Sequence, residues 1–174
     1  ALKYTDKVYR MDLSRNSISS IPEKFSKFDN LENLNLADNK ISEMPENITK
    51  LKKLKYLNLS NNKIEKISES VYNLTELKIL KLNSNKIDTV PDALGYLESL
   101  EELYLNDNKI EFIPESFSKL KKLKKLSLAS NKLKVFPHCL ESLTNLEYLD
   151  LSNLYLNSID EQKNNITAKL PNTR

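Results

Sequence analysis

The sequence predicts an α/β fold, a right-handed solenoid (horseshoe) with a parallel sheet on its concave face and short helical or 3₁₀ segments on its convex face. Two observations support this prediction. A spacing of 23 residues recurs through most of the chain, and the hydrophobic period changes inside each 23-residue unit. Because 174 residues is an ordinary domain length, we expect a single repeat domain.

The repeat is marked by an Asn-Lys-Ile or Asn-Lys-Leu signature. Its asparagines, with Asn16 as an earlier member that lacks the lysine, are Asn16, Asn39, Asn62, Asn85, Asn108 and Asn131. The units run over 8–30, 31–53, 54–76, 77–99, 100–122 and 123–145, and a degenerate seventh begins at Leu146. This division predicts an N-terminal cap over 1–7, a repeat domain over 8–159, and a C-terminal cap or flexible tail over 160–174.

The hydrophobic pattern within a unit predicts its local structure. In unit five, Leu103 and Leu105 alternate with polar residues, as in a strand with one buried face. The apolar residues that follow are three or four positions apart, as in a helical turn: Ile110, Ile113, Phe117 and Leu120. Pro114 suits the first position of that helical segment, where its missing N–H costs nothing. Each unit is therefore a strand, a turn and a short helical segment.

The repeated asparagine is predicted to point inward. Its amide can donate to and accept from backbone groups that the turn leaves unpaired, and it can reach the adjacent coil, which gives a ladder of asparagines. The chain contains one glycine, Gly95, so we expect the ladder and the stacking of coils to set the turns. In the seventh unit Leu154 stands at the ladder position, as suits a last coil that has no following neighbour.

The N-terminal end of the array is predicted to be thinly covered. Leu2 and Tyr4 are the large apolar residues before unit one, and Ile166 and Leu170 are candidates to fold back over the last coil. The chain begins with Ala1 instead of Met, so we expect a trimmed or processed product. The slight N-terminal cap favours a fragment of a longer protein or a first coil covered by a partner, and a naturally minimal cap is the alternative.

Composition argues against several classes of function. Lys and Arg number 27 against 24 Asp and Glu, so the net charge of +3 does not predict a nucleic-acid partner. Leucines interrupt the lysine runs at 50–55 and 119–125, which we interpret as solvated turns. Apolar runs are too short for a membrane span. With a single cysteine, Cys139, no internal disulfide can form, and we expect a cytoplasmic protein, although a removed secretion leader remains an alternative.

No catalytic or metal-binding motif emerges from the sequence. His138 and Cys139 are the only residues of their types, so the chain by itself has neither a Cys-His-acid triad nor a His and Cys zinc site. Gly95 alone cannot form a phosphate-binding loop. We therefore predict no enzyme activity, no cofactor and no metal.

An apolar-Pro step completes the repeat pattern in most units. It occurs at Ile21-Pro22, Met44-Pro45, Val90-Pro91, Ile113-Pro114 and Phe136-Pro137, and unit three departs from it with Ile67-Ser68. With this step the sequence resembles the leucine-rich-repeat superfamily, in particular the 23-residue class of the Ras-suppressor and Shoc-type proteins and of the Scribble and Erbin repeats. The resemblance implies an intracellular interaction scaffold, with a small GTPase or a phosphatase as a candidate partner class.

The concave-face residues form the candidate binding site. Tyr56, Ile79, Lys81 and Tyr104 fall in consecutive units at positions otherwise small or polar, and exposed aromatic residues near the centre of a surface are frequent anchors of interfaces. Beside them the predicted site includes Glu102, Lys125 and Tyr148. The alternative is that these side chains are scattered and only stabilise the strands.

A row of lysines follows the ladder asparagines, at Lys40, Lys63, Lys86, Lys109 and Lys132. Acidic residues two positions later in three units favour a solvated edge over an acidic-partner site.

These features together predict a monomeric protein–protein interaction module, a signalling or scaffolding adaptor that binds a partner protein through its concave face. A secreted microbial repeat protein that engages host molecules and the recognition arm of a larger enzyme are the alternatives.

Overall fold

The computed structural model describes residues 5–156. Seven short strands form one parallel sheet in sequence order: β1 Arg10–Asp12, β2 Asn33–Asn35, β3 Tyr56–Asn58, β4 Ile79–Lys81, β5 Glu102–Tyr104, β6 Lys125–Ser127 and β7 Tyr148–Asp150. The helical elements of the described chain are short 3₁₀ helices: η1 Thr5–Lys7, η2 Glu23–Lys27, η3 Ile48–Lys50, η4 Glu69–Asn73, η5 Asp92–Tyr96, η6 Glu115–Lys119 and η7 His138–Ser142. The predicted solenoid of strands and 3₁₀ segments is confirmed.

The register of the sheet repeats the spacing of the sequence. Each strand pairs with the next at equivalent positions of the unit, for example Tyr56 with Ile79 and Lys81 with Tyr104. Because successive side chains alternate across a strand, the first and third residues of every strand share the solvent face. The central residue, Met11 in β1 and a leucine in each of the other strands, points into the core. The sheet is open, with β1 and β7 at its edges.

The core is a column of leucines that runs through the coils. Leu57, Leu80 and Leu103 are fully buried, and each contributes about 1.5–3 kcal/mol of burial free energy. At the ends of the described chain the column is less well covered, since Met11 and Leu149 are only partly buried. No single coil could bury its own apolar set, so the stacking of neighbours supplies the stability.

The asparagine ladder is observed as predicted. The amide nitrogen of Asn85 donates to the carbonyls of Leu59 in the preceding coil (3.0 Å) and of Leu82 in its own coil (3.0 Å). Its Oδ1 accepts from the backbone N–H of Ile64 at 2.9 Å. The same arrangement is repeated at Asn39, Asn62, Asn108 and Asn131. Each asparagine therefore connects two coils through both ends of its amide.

Each turn before the ladder position contains a residue with positive φ, and none of these residues is a glycine. They are Arg15, Asp38, Asn61, Ser84, Asp107, Ser130 and Asn153, with φ between 53° and 57°. A left-handed conformation costs a non-glycine residue about 1–2 kcal/mol. The backbone N–H of Asp38 donates to Ser60 O of the next coil at 3.0 Å, and an equivalent bond recurs at Asn61. Coil-to-coil hydrogen bonds thus hold a turn that local preference disfavours.

The predicted position of Pro114 is wrong by one residue. Pro114 has φ −69° and ψ 149°, an extended conformation, so it is the N-cap and η6 begins at Glu115. In unit three Ser68 takes the proline's place and caps η4 with its side chain, which accepts a hydrogen bond from Ser70 N at 3.0 Å. Proline fits the cap because the fixed φ suits an extended residue and the carbonyl remains free to accept from Phe117 N.

The predicted caps are described only in part. Residues 5–7 form η1, and the side chain of Asn30 in unit one donates to Asp6 O at 2.7 Å. Leu154 is partly buried against the core at the ladder position. The expectations for Leu2, Tyr4, Ile166, Leu170 and the segment 160–174 lie outside the described residues.

Candidate functional site

The predicted site residues all lie on the solvent face of the sheet. The strand register aligns the first strand residues Tyr56, Ile79, Glu102, Lys125 and Tyr148 in one row across β3 to β7. Lys81 and Tyr104 are neighbours in a second row, formed by the third strand residues. We call these seven residues the strand-face patch.

Lys81 is held between two aromatic rings. Its Nζ lies 5.8 Å from the ring centroid of Tyr56 and 5.4 Å from that of Tyr104. Both distances are within the range in which an ammonium is attracted to the negative face of an aromatic ring. The two tyrosines are partly buried, so they are less exposed than the sequence pattern alone suggested. The structure thus brings these three predicted residues together.

Glu102 connects the aromatic part of the patch to its basic end. Its carboxylate accepts from Tyr104 OH (2.9 Å) and from Lys125 Nζ (2.9 Å). Burial disfavours ionisation of Glu102, but the hydrogen bonds from Lys125 and Tyr104 outweigh it and lower the pKa of the carboxyl. Burial and the hydrogen bond to Glu102 raise the pKa of Tyr104, and the same carboxylate raises that of Lys125. Glu102 is therefore ionised and has a donor on each oxygen.

A groove opens beside the basic end of the patch. It encloses about 820 Å³ and is lined by Glu101, Lys122, Lys124, Lys125, Asn145, Glu147 and Tyr148. The Glu101 carboxylate lies 3.0 Å from Lys124 Nζ and 3.3 Å from Lys78 Nζ, and hydrogen bonds from these two lysines lower its pKa. Tyr148 is 43% exposed at this groove, the most accessible aromatic residue of the patch. The groove therefore has polar walls and an accessible ring.

In most units, the side chain of the third strand residue accepts a hydrogen bond within the turn that follows the strand. The Oδ1 atoms of Asn35, Asn58 and Asp150 accept from backbone N–H groups two residues later, as in Asn58 with Ser60 at 3.0 Å. Asp12 does the same with Ser14. Lys81 and Tyr104 occupy this position without making such a bond, so their side chains interact on the face of the sheet instead.

A second exposed apolar pair was missed by the sequence reasoning. Phe112 is 80% exposed and Val135 is 60% exposed, and they stand at equivalent positions of adjacent units, where they line one groove of about 560 Å³. Its signal is visible in the sequence, because the same position in the four preceding units holds polar residues: Ser20, Glu43, Lys66 and Thr89. Phe112 and Val135 lie after the strands, so a prediction from strand residues alone does not include them.

His138 and Cys139, the residues considered for catalysis, have different environments and do not form a site together. Nδ1 of His138 is 2.9 Å from a carboxylate oxygen of Glu141 on the surface, whereas Cys139 is buried. Burial, together with the charge of Glu115, raises the pKa of the Cys139 thiol to about 11. No group of three or more His, Cys, Asp or Glu within residues 5–156 is arranged to hold a metal ion.

The lysine row is solvated. Lys40, Lys63, Lys86, Lys109 and Lys132 are all exposed. The ion pairs within the described chain involve other residues, so the nearby acids balance these lysines without direct contact. None of the helices in 5–156 has the length and apolar character needed to cross a membrane.

Comparisons with known proteins agree with this architecture. A family model for a leucine-rich repeat region matches residues 62–172, and a second leucine-rich-repeat model matches residues 29–87. No curated protein matches the sequence.

Solved structures of bacterial proteins have the same fold. A leucine-rich-repeat protein of Leptospira interrogans is 30% identical, with a TM-score of 0.84, and the match covers 97% of this chain and 48% of that protein. Internalin C2 of Listeria monocytogenes is 27% identical, with a TM-score of 0.85 and coverage of 97% and 70%. An internalin (inlF) of the same species is 26% identical, with a TM-score of 0.71 and coverage of 97% and 54%. The chain thus spans about half the length of the Leptospira protein. From the repeat, the ladder and these matches, we conclude that the chain belongs to the leucine-rich-repeat family.

Proposed function

We propose that this chain is a protein-binding module that holds its partner against the strand-face patch. Leucine-rich-repeat proteins generally bind other proteins, and the fold is typically not enzymatic. The observation that carries the proposal is the arrangement of Lys81 between the rings of Tyr56 and Tyr104 at the centre of the sheet. An aromatic and cationic cluster on rigid strands supplies large contact area at a low entropic cost, as binding hot spots do.

The full extent of the module follows the repeat. We propose one repeat domain over 8–159, with 1–7 as its N-terminal cap and 160–174 as a C-terminal cap or flexible tail, which acts as a monomer. The seven strands, about 4.8 Å apart, give a face on the order of 30 Å long, enough for a helix or the edge of a domain. The role as a cytoplasmic signalling or scaffolding adaptor, and a small GTPase or phosphatase as partner, remain predictions from the family resemblance.

The test is a pair of matched double variants. Tyr56→Ala with Tyr104→Ala removes the rings of the patch, and Tyr72→Ala with Tyr96→Ala removes two rings from the 3₁₀ side of the solenoid, where they are 53% and 50% exposed. Circular dichroism checks that both variants remain folded. Partners are captured with the wild type, and their affinities for all three proteins are then measured.

We expect the patch variant to lose binding and the variant of the 3₁₀ side to keep it. Truncation of a hot-spot residue costs at least about 2 kcal/mol, roughly a 30-fold loss of affinity. If a folded patch variant retains every partner at wild-type affinity, the strand-face patch is not the binding surface.

A second candidate function is that of a secreted microbial repeat protein that engages host molecules. The bacterial origin of the similar structures, from Leptospira and Listeria, favours it. The reading frame that encodes residues before Ala1 separates the candidates. A secretion leader there supports the microbial candidate, and a catalytic domain in the same frame would make this chain the recognition arm of a larger enzyme.

A further inference from the structure

Lys81 is a cation at the centre of the sheet that forms no ion pair within the described chain. Its Nζ faces the rings of Tyr56 and Tyr104, and none of the ion pairs within residues 5–156 includes it. The side chain is partly buried, so the rings and the sheet replace part of the water around the ammonium. Aromatic faces attract a cation but do not neutralise its charge.

The acid on the adjacent strand is already paired with other residues. Glu102 is on the adjacent strand and senses the charge of Lys81, but one of its oxygens binds Lys125 Nζ and the other accepts from Tyr104 OH. The hydroxyl of Tyr104 thus turns Glu102 toward Lys125, while the ring of the same tyrosine faces Lys81. Lys78 and Lys124, which directly precede β4 and β6, share Glu101.

The neighbour of Lys81 on the other side is also occupied. Asn58 pairs with Lys81 in the sheet register, and its Oδ1 accepts from both the backbone N–H and the hydroxyl of Ser60. The amide oxygen that could have accepted from the ammonium is therefore used in its own turn. Lys81 is oriented by its neighbours and left without a strong acceptor.

We infer that the partner places the carboxylate of an Asp or Glu side chain on Lys81, with the carbons beside that carboxylate packed between the rings of Tyr56 and Tyr104. This inference rests on the proposed function and adds the chemistry of the contact. A carboxylate seated here would complete a charge pair whose cation is already fixed by packing, so little side-chain ordering remains to be done on this side of the interface.

The experiment uses a display library of random peptides, panned on the wild type. Enriched peptides are measured against Lys81→Met, which keeps the length of the side chain and removes the charge, and against Lys86→Met, a matched change in the exposed lysine row of the same unit. They are also measured against the Tyr56→Ala with Tyr104→Ala variant. Acid-to-amide versions of each peptide complete a double-mutant cycle with Lys81→Met.

We expect the enriched peptides to share an Asp or Glu and to bind Lys81→Met at least about 30-fold more weakly, with little change for Lys86→Met. The amide peptides should lose a similar factor on the wild type and little more on Lys81→Met. Peptides that need Tyr56 and Tyr104 but bind Lys81→Met as well as wild type would overturn this inference and leave the proposed function standing. Millimolar inorganic phosphate tests whether Lys81 takes small anions instead of a side-chain carboxylate. If phosphate displaces the peptides although their amide versions still bind, the inference fails and the proposed function stands. Peptides indifferent to both tyrosines would overturn the proposed function as well.

Discussion

Asn131 offers the sharpest test of how the coils are joined. It is buried, and its Oδ1 is the acceptor for the N–H of Ile110 (2.9 Å), while its Nδ2 donates to the carbonyl of Leu128 (2.9 Å). It also donates to Leu105 O, but that carbonyl has a second donor in Asn108. Asn131→Ala therefore leaves the groups of Ile110 and Leu128 unsatisfied. At about 1–3 kcal/mol for each, we expect a loss of about 2–6 kcal/mol in the free energy of unfolding.

Asn16 is the matched control, because it stands at the same position of the first unit. It donates only to Leu13 O and Ser14 O in its own coil, it is exposed, and Leu13 O also accepts from Asn39. Water can replace its amide, so Asn16→Ala should cost less than about 1 kcal/mol.

Urea denaturation followed by circular dichroism gives both free energies from the midpoint and the slope. Asn131→Asp is a further variant that keeps the acceptor for Ile110 but sets a second oxygen against the Leu128 carbonyl, so it too should destabilise the fold. We expect the ladder amide to be needed to satisfy backbone groups of two coils. This expectation is refuted if Asn131→Ala and Asn16→Ala lower the free energy of unfolding equally, or if Asn131→Ala lowers it by less than about 1 kcal/mol.

Three further predictions concern packing and ionisation. A Cβ on Gly95 would lie 2.4 Å from the backbone oxygen of Ser116, so Gly95→Ala should lower the free energy of unfolding by about 1–3 kcal/mol, as read from urea midpoints. Hydrogen bonds from Lys125 and the neighbouring tyrosine outweigh burial and hold the pKa of Glu102 below its ordinary value of 4.5. Ionised Glu102 therefore contributes its full share of the free energy of unfolding above pH 4.5, and this share is lost as the pH falls through the lower pKa of the folded state. Glu102→Gln should thus make the free energy of unfolding fall less steeply at acid pH. The buried Cys139 thiol, whose pKa is raised to about 11, should react slowly with a thiol reagent in the native protein and rapidly in urea.

Each of these has a clear contrary result. Gly95→Ala with an unchanged urea midpoint would mean that η5 and η6 separate at no cost; Ser118→Ala, at the equivalent position of the next unit, is the control. Identical pH profiles for wild type and Glu102→Gln would show that the carboxylate is not stabilised by folding. Native labelling of Cys139 at the rate seen in urea would contradict its burial.

The candidate site shows where inference from the sequence stops. The identity of the strand-face residues follows from the two-residue alternation, so Tyr56, Lys81 and Tyr104 could be named in advance. Their mutual contacts could not, because side chains on three different strands meet only through rotamers chosen in the folded state. Phe112 and Val135 carried a signal in the sequence, but only comparison of the same loop position across units reveals it.

The coil, its register and its ladder are all readable from the order of the amino acids. They follow from a hydrophobic period that changes within each unit and from an amide that recurs every 23 residues, and both patterns are local and repeated. Two other features become fixed only when the coils stack: the turn residues take positive φ, and Glu102 turns to Lys125 and leaves Lys81 between two rings. These outcomes depend on the competition between backbone and side-chain hydrogen bonds from neighbouring coils, and that competition does not exist in the separate units.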